Sequence, residues 1–433
     1  MGKTSTRQDL PLSGYADRLS ARPGEALDIK VSSLSQQPYQ ASLVRVRYAD
    51  PNPEGPGVKL ENIPSSWEGT YPSREQKFFP GSYGRVDSTG SLCSLEDFSA
   101  LITLWPTLPG SGKQTLISHQ DSTSGWSLFL DDEGCLAAKL GKAGDTRKFR
   151  LEGSLRERKW YQAWLTYDAQ TSKLTLGKAI LDPGLKSEDQ TGSSTDYAFE
   201  SVSQEIPFLI GAQFSGPIDS HFNGKLEEPK IFSRSLNQQE IEQAFSGKIP
   251  DGLLARWDFS REIPTSRMID LGPENLEGSL VNCPARGMTG SNWKGKEMCW
   301  RHAPEDYGAI HFHEDDIYDF GWETDFTIHL GEDLQSGIYA VKLECEGNED
   351  FIPLFILPAR GKRKADLCVL VSTFTYTVYG NHARPDFKDR WRERIRDWNA
   401  YPHNPADFRH YGLSTYNFHS DNSGICYASA QRP

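Results

Sequence analysis

The chain has 433 residues, with 47 Lys and Arg against 59 Asp and Glu for a formal net charge of −12, and a mean hydropathy of −0.59. At roughly 150 residues per domain that length gives about two to four domains, while 11 Trp, 17 Tyr and 21 Phe are too much aromatic surface for a disordered chain. The negative charge argues against nonspecific nucleic-acid binding, and the longest apolar runs, Leu367–Val371 and the proline-broken Phe351–Pro358, fall far short of the ~20 residues that cross a bilayer.

The N-terminus, MGKTSTRQDLPLSG, lacks the apolar core of a signal peptide. Met1-Gly2 with Thr6 fits a myristoylation pattern, although a solvated tail is the plainer reading. The strands Ala26–Val31 and Ala41–Tyr48 are predicted by alternation of apolar and polar residues, and a Pro- and Gly-rich stretch over 51–57 reads as a linker or long loop. A second all-β stretch follows from about 88 to 247, with strands expected at Phe98–Trp105, Gly125–Leu130, Trp160–Tyr167, Lys173–Leu176 and Pro207–Ile210. One helix is expected there, over Asn237–Phe245, with Asn237 as its cap. Such a series of short strands implies a sandwich or jelly roll. The segment from Trp160 to Asp168, then Leu209–Ala212, then Phe222–Phe232 with Leu236 and Ile241 behind, resembles the laminin-G/concanavalin-like jelly roll over about residues 76–248.

Strands return at Leu254–Ser260, Phe326–Leu330 and Ile338–Leu343. They are placed against the N-terminal strands, with the jelly roll as an insertion. After the basic stretch Ala359–Lys364, the apolar run Asp366–Val371 reads as a buried parallel strand. Asp386–Trp398 reads as an amphipathic helix, because Phe387, Trp391, Ile395 and Trp398 recur at helical spacing. The expected fold is mainly β: an N-terminal β region at 1–75 packing with a β-sandwich region at 249–357, the jelly roll at 76–248, and at 358–433 the start of an α/β domain.

Several reactive patterns lose their force on inspection. Pro109–Gln114 looks like a phosphate loop, but Thr107 stands where its first Gly belongs and Gln114 where its Ser or Thr does. His311 and His313 share a strand face, with Glu314, Asp315 and Asp316 behind, yet no third ligand lies at a defined spacing, so an acidic turn at a strand end is the favoured reading. Seven cysteines without a CxxC pair point to a reducing, cytoplasmic setting rather than a disulfide or zinc framework. Near the C-terminus, Ser414 or Cys426 with His419 offers a hydrolase nucleophile and base, but there is no GxSxG elbow.

That C-terminal cluster, Tyr411–Tyr427, reads differently beside Val371–Asn381. With Trp257–Ser260, Pro284–Gly290 and Trp293, Tyr307–Asp315 and Gly337–Lys342, it resembles the large (beta) subunit of N,N-dimethylformamidase, with matching patches in one order from Gly14 to Pro433. The resemblance implies an α/β amidotransferase-like C-terminal domain and hydrolysis of a small amide to formate and an amine. It implies a mononuclear Fe(III) held by two tyrosinates and a carboxylate, and a small helical partner subunit or a homo-oligomer. Carried over by position, the tyrosinates are Tyr379 and Tyr416, with Tyr376 the fallback for Tyr379. The carboxylate lies further downstream in that family than Pro433, so the resemblance implies an incomplete site that holds iron weakly or not at all; nothing in their spacing recommends Asp421 or Glu393 as substitutes. The alternative from another class is a non-catalytic carbohydrate- or protein-binding β module. In that reading Trp126, Trp160 and Trp164 stack on sugars, whereas packing of the sandwich core is their commoner use.

Overall fold

The computed structural model describes residues 9–142, 145–361, 365–383, 389–398 and 403–433. The myristoylation pattern and Phe387 lie outside them. The chain forms two compact units, one built from Met1–Pro80, Ile317–Phe418 and Gly424–Pro433, the other from Gly81–Asp316 and His419–Ser423.

The first unit is a β-sandwich. Strand Ala26–Ser33 is flanked by Leu12–Ala16 and Phe326–His329 in a three-stranded sheet. The facing sheet has the order Ser20–Ala21, Asn348–Ile356, Gly337–Cys345, Tyr39–Tyr48, Lys59–Ile63, with Gly69–Tyr71 also on Tyr39–Tyr48. Alternation sends Leu27, Ile29 and Val31 inward from one sheet to meet Leu43, Val341, Leu343, Ile352 and Leu354 from the other. The register pairs Tyr339 with Arg45 and Val341 with Leu43. A second apolar cluster joins Tyr15, Phe78, Phe320, Trp322 and Tyr411, with the Phe78 and Phe320 rings stacked at 4.0 Å.

The second unit is a jelly roll whose two layers run into one another to form a nearly closed sheet. One layer orders Asp145–Ser154, Cys135–Lys142, Gly125–Leu130, Gln114–Gln120, Phe208–Ile210, Tyr83–Val86, Gly278–Val281 and Arg267–Asp270; the other orders Leu253–Asp258, Gly224–Phe232, Phe98–Pro106, Tyr161–Asp168, Lys173–Ile180 and Gln190–Ser194. The pair Trp257 opposite Asp270 joins the layers. Strand Ala309–Phe312 adds to the Gly224–Phe232 strand, with His311 opposite Lys225. Phe98, Ala100, Ile102 and Leu104 point into the core between the layers, beside Trp126, Phe208 and Trp257. Leu101 points the other way, under helix α1 (Gln238–Phe245) with Trp164, Phe232 and Ile241. The helix begins where Asn237 accepts the Glu240 N–H at 3.1 Å while the Glu240 carboxylate accepts the Asn237 N–H at 2.9 Å, a reciprocal cap. Trp126 and Trp164 are buried, so neither is available to a sugar.

The mainly β class holds, but the strand expected at Asp366–Val371 does not form, and its side chains are open to solvent, Leu367 at 88% and Leu370 at 95% exposure. A parallel strand is buried only by neighbours that pair with it on both sides and helices that cover it. Among the described residues no strand pairs with this run, so its apolar side chains have nothing to bury against. The chain instead turns into helix α2 (Thr373–Tyr379), and a further helix α3 spans Asp389–Trp398.

Two expectations follow. Gly177 sits directly opposite Trp164, whose indole occupies the space where a Cβ would stand. Gly177→Ala should therefore destabilise the jelly roll by about 1–3 kcal/mol, the usual cost of overpacking, in urea unfolding. His119 is buried in the same unit, its Nε2 donating to the Ile206 carbonyl at 3.2 Å, and burial pushes its pKa down to about 4. The unfolded chain, with an ordinary histidine near ~6.5, then binds the extra proton first, so stability is fully present above about pH 6.5 and falls as pH drops toward about 4, by on the order of 3 kcal/mol for this group. Unfolding free energies measured across that window should show a shallower slope in His119→Gln; an unchanged slope would assign the acid sensitivity elsewhere.

Candidate functional site

Tyr379 ends helix α2, and Tyr416 lies in the irregular segment after Gly412. The structure brings them together: their rings stack with centroids 4.3 Å apart and planes 16° from parallel. Both are open to solvent, Tyr379 at 45% and Tyr416 at 56% exposure. The neighbouring Tyr416 phenol holds the Tyr379 pKa above its usual value. Tyr376, one turn earlier, packs instead edge-on against Phe355 at 5.1 Å. His382 stands edge-on to both rings of the pair, at 5.8 and 6.3 Å, and its buried Nδ1 has no hydrogen-bond partner among the described residues.

The local sequence explains the pairing. The Ser414 hydroxyl donates to the Val378 carbonyl at 2.8 Å and accepts the Tyr416 N–H at 3.0 Å, and the Thr415 N–H reaches the same carbonyl at 3.3 Å. The Gly-Leu-Ser-Thr-Tyr segment is thereby tied to the last turn of the helix that carries Tyr379. Asn417 Oδ1 accepts the Ala383 N–H at 2.9 Å, and Asn381 donates to the Gly412 carbonyl at 3.1 Å. Buried Arg432 donates to the carbonyls of Tyr411 and Leu413 at 3.1 and 3.2 Å. Gly412, at φ +77°, is required both by that angle and because a Cβ there would run into the Arg432 guanidinium.

The jelly-roll unit contains a second polar cluster. His311 and His313, two residues apart at the end of strand Ala309–Phe312, face Asp421. His311 Nε2 lies 3.2 Å and His313 Nε2 3.7 Å from Asp421 Oδ2. Asp316 holds His313 Nδ1 at 3.2 Å, and His419 stacks on His313 at 3.7 Å while its Nδ1 bonds Asp315 at 2.7 Å. Burial pushes His311 down to about 4. For His419 burial works in the same direction, but the hydrogen bond to Asp315 and the charges of Asp316, Asp315 and Asp421 outweigh it and raise the pKa. Asp421, despite burial, is held well below the carboxylate range by hydrogen bonds from His311 and Ser423.

These contacts bear on the nucleophiles considered from sequence. Ser414 is buried with its hydroxyl spent on a main-chain carbonyl, both nitrogens of His419 face carboxylates, and the exposed Cys426 has its thiol against the Gly424 carbonyl. His311 and His313 are buried while the acidic turn after them reaches the surface at Glu314, and the partners the sequence did not reveal are His419 and Asp421, too far along the chain for any spacing rule. His382 had no sequence signal.

Residues 285–433, which include both tyrosines, match the family described as N,N-dimethylformamidase beta subunit-like, C-terminal, and residues 80–242 match the concanavalin A-like lectin/glucanases superfamily. Over 98% of its length the chain is 35% identical to the N,N-dimethylformamidase beta subunit of Paracoccus aminophilus and 34% identical to that of an Alcaligenes species. The chain is similar to N,N-dimethylformamidase beta subunits over the part it shares with them. It spans 59% and 60% of the length of these two curated relatives. Among solved structures, the Ruminococcus gnavus IT-sialidase CBM40 is 16% identical and covers 40% of this chain and 96% of its own, with a TM-score of 0.32, too low to carry an argument. No helix among the described residues of this dimethylformamidase-like chain is long and apolar enough to cross a membrane.

In this dimethylformamidase-like chain, Ser414 is expected to act as a structural tie. Ser414→Ala should lower stability by about 1 kcal/mol or somewhat more, because it removes two partly buried hydrogen bonds, and this is measurable by denaturant unfolding. A nucleophilic serine would give no such loss.

Proposed function

We propose that this chain is the tyrosine-bearing part of an iron-dependent amidohydrolase that cleaves a small linear amide to formate and an amine, with Tyr379 and Tyr416 as phenolate ligands of a mononuclear Fe(III). The stacked, solvent-facing tyrosine pair within the beta-subunit-like match carries this reading. Phenolate is a hard anionic oxygen donor suited to ferric iron. The two phenols stand side by side at the surface, so Tyr379 and Tyr416 would hold the ion without prising apart a packed core. The residues present fit two donors of the set. No carboxylate is hydrogen-bonded to either phenol among the described residues, so the third donor implied by the resemblance is not assigned to this chain.

When bound, Fe(III) supplies Lewis acidity for an amide carbonyl and a water molecule. The protein's own part is positional. Ser414 and Thr415 fix Tyr416 to the helix end, which sets the separation of the phenols before any ligand arrives. Such preorganisation removes the cost of ordering two mobile side chains at the moment of binding. His382 stands edge-on beside the pair.

The relatives carry the name of beta subunits, which implies other subunits in those proteins. We extend this to the present chain as association with a small helical subunit or a second copy, in a cytoplasmic setting. The test is titration of the protein with Fe(III), following the visible phenolate charge-transfer band, together with dimethylamine release from dimethylformamide. Tyr379→Phe and Tyr416→Phe should each lose the band and lower turnover by about a hundredfold or more, whereas Tyr376→Phe should retain both. Iron content and turnover unchanged in both ligand variants would remove the tyrosinate reading.

A further inference from the structure

The buried cluster in the jelly-roll unit has no part in the tyrosine chemistry, yet it gathers the donors of a metal centre. His311, His313 and Asp421 each offer one ligand atom, all three atoms within 4.8 Å of one another and all three residues buried. We propose that His311 Nε2, His313 Nε2 and Asp421 Oδ2 bind one divalent transition-metal ion of the zinc class, as a structural site.

The distances fit. Donors about 2.0–2.1 Å from a tetrahedral zinc are roughly 3.3 Å from each other, and the imidazole nitrogens lie 3.2 and 3.7 Å from the carboxylate oxygen. Two imidazoles and a carboxylate are a donor set that zinc accepts readily.

A second grouping, His313, Asp316 and His419, is also close enough. Ring orientation decides between them. An imidazole lone pair lies in the plane of its ring, so two parallel stacked rings cannot both aim at one point. The His313 and His419 planes are only 7° from parallel at 3.7 Å, whereas those of His311 and His313 are inclined by 38°.

The supporting contacts point the same way. Asp316 Oδ2 holds Nδ1 of His313, leaving Nε2 for the ion, and Ser82 Oγ in turn donates to that oxygen at 2.6 Å. Ser423 binds the other oxygen of Asp421 through its hydroxyl at 2.6 Å and its N–H at 2.8 Å, which fixes Oδ2 toward the two histidines. Metal binding exchanges the present Ser423 bond to His313 Nε2 for coordination.

Charge gives an independent reason. Among the described residues no Lys or Arg is ion-paired with Asp421 or Asp316, and the nearby Arg158 donates to the Asp421 backbone carbonyl instead of its carboxylate. A buried carboxylate such as Asp421 favours a compensating cation, and a divalent ion supplies it. The ligand side chains are at most 5% exposed, so the ion would tie the His419–Ser423 segment to the jelly-roll strand rather than meet substrate.

The test uses the full chain, stripped with chelator and then reloaded with zinc or cobalt(II). About one zinc per chain should be retained after desalting, and cobalt(II) should give visible bands that the stripped protein lacks. His311→Gln and Asp421→Asn should lose the metal, and Asp316→Asn should weaken zinc binding about 10–100-fold. Tyr416→Phe should keep the zinc, which separates this site from the proposed iron ligands. If the ligand variants fail to fold, the cobalt spectrum of the wild-type chain decides alone. Folded wild-type protein that takes up neither metal stoichiometrically, its carboxylates neutralised by protonated histidines, would overturn the proposal, as would metal retention unchanged in folded His311→Gln and Asp421→Asn.

Discussion

An irregular stretch of chain can lie inside a protein only if every backbone carbonyl and N–H it carries finds a partner. The segment from Tyr411 to Asn417 meets this constraint with side chains rather than with a sheet. Arg432 serves two of its carbonyls, Asn381 serves Gly412, Ser414 and Thr415 reach back to Val378, and Asn417 brackets Ala383. The guanidinium remains charged although burial pushes its pKa down to about 10. Because the satisfied backbone is rigid, the two tyrosines it carries and faces are held stacked without being buried. The motif residues around Tyr416 therefore serve first to place that side chain.

The same rule operates differently in the jelly roll. There the sheet satisfies the backbone, and the unusual burial is of side chains: three imidazoles and the Asp421 carboxylate. Every member of that cluster has a partner, so it is a connected network and not a set of isolated buried charges. The exposed phenol pair offers donors to solvent, while the imidazole network is sealed. The first arrangement suits chemistry on an incoming molecule, and the second suits a fixed ion holding distant parts of one unit together.

Where the sequence is periodic, it was legible. Gly125–Leu130 came out with its expected bounds, the strand at Phe98 ended one residue late, and the α1 cap fell on Asn237. These signals are local: alternation reports a half-buried strand, and an Asn three residues before a Glu reports a helix start. Cys135–Lys142 and Asp145–Ser154 were not anticipated, because one is almost wholly buried and the other largely exposed, so neither alternates clearly. The apolar run at Asp366–Val371 misled for the opposite reason: its composition is that of a buried strand, but burial needs partners, and none pairs with it among the described residues.

The sequence by itself determined the class of the fold and the resemblance to the N,N-dimethylformamidase beta subunits, since strand alternation is a property of neighbouring residues and the shared motifs are read in order along the chain. It also contained all the functional side chains proposed here. Only the tertiary structure decided which of them meet. Tyr379 finds Tyr416 because Ser414 bonds a helix-end carbonyl, and His311 and His313 find Asp421 because a five-residue segment, His419–Ser423, belongs to the jelly-roll unit. Neither encounter leaves a periodic trace, because contacts between residues far apart in sequence are set by the packing of the whole unit and not by any local pattern.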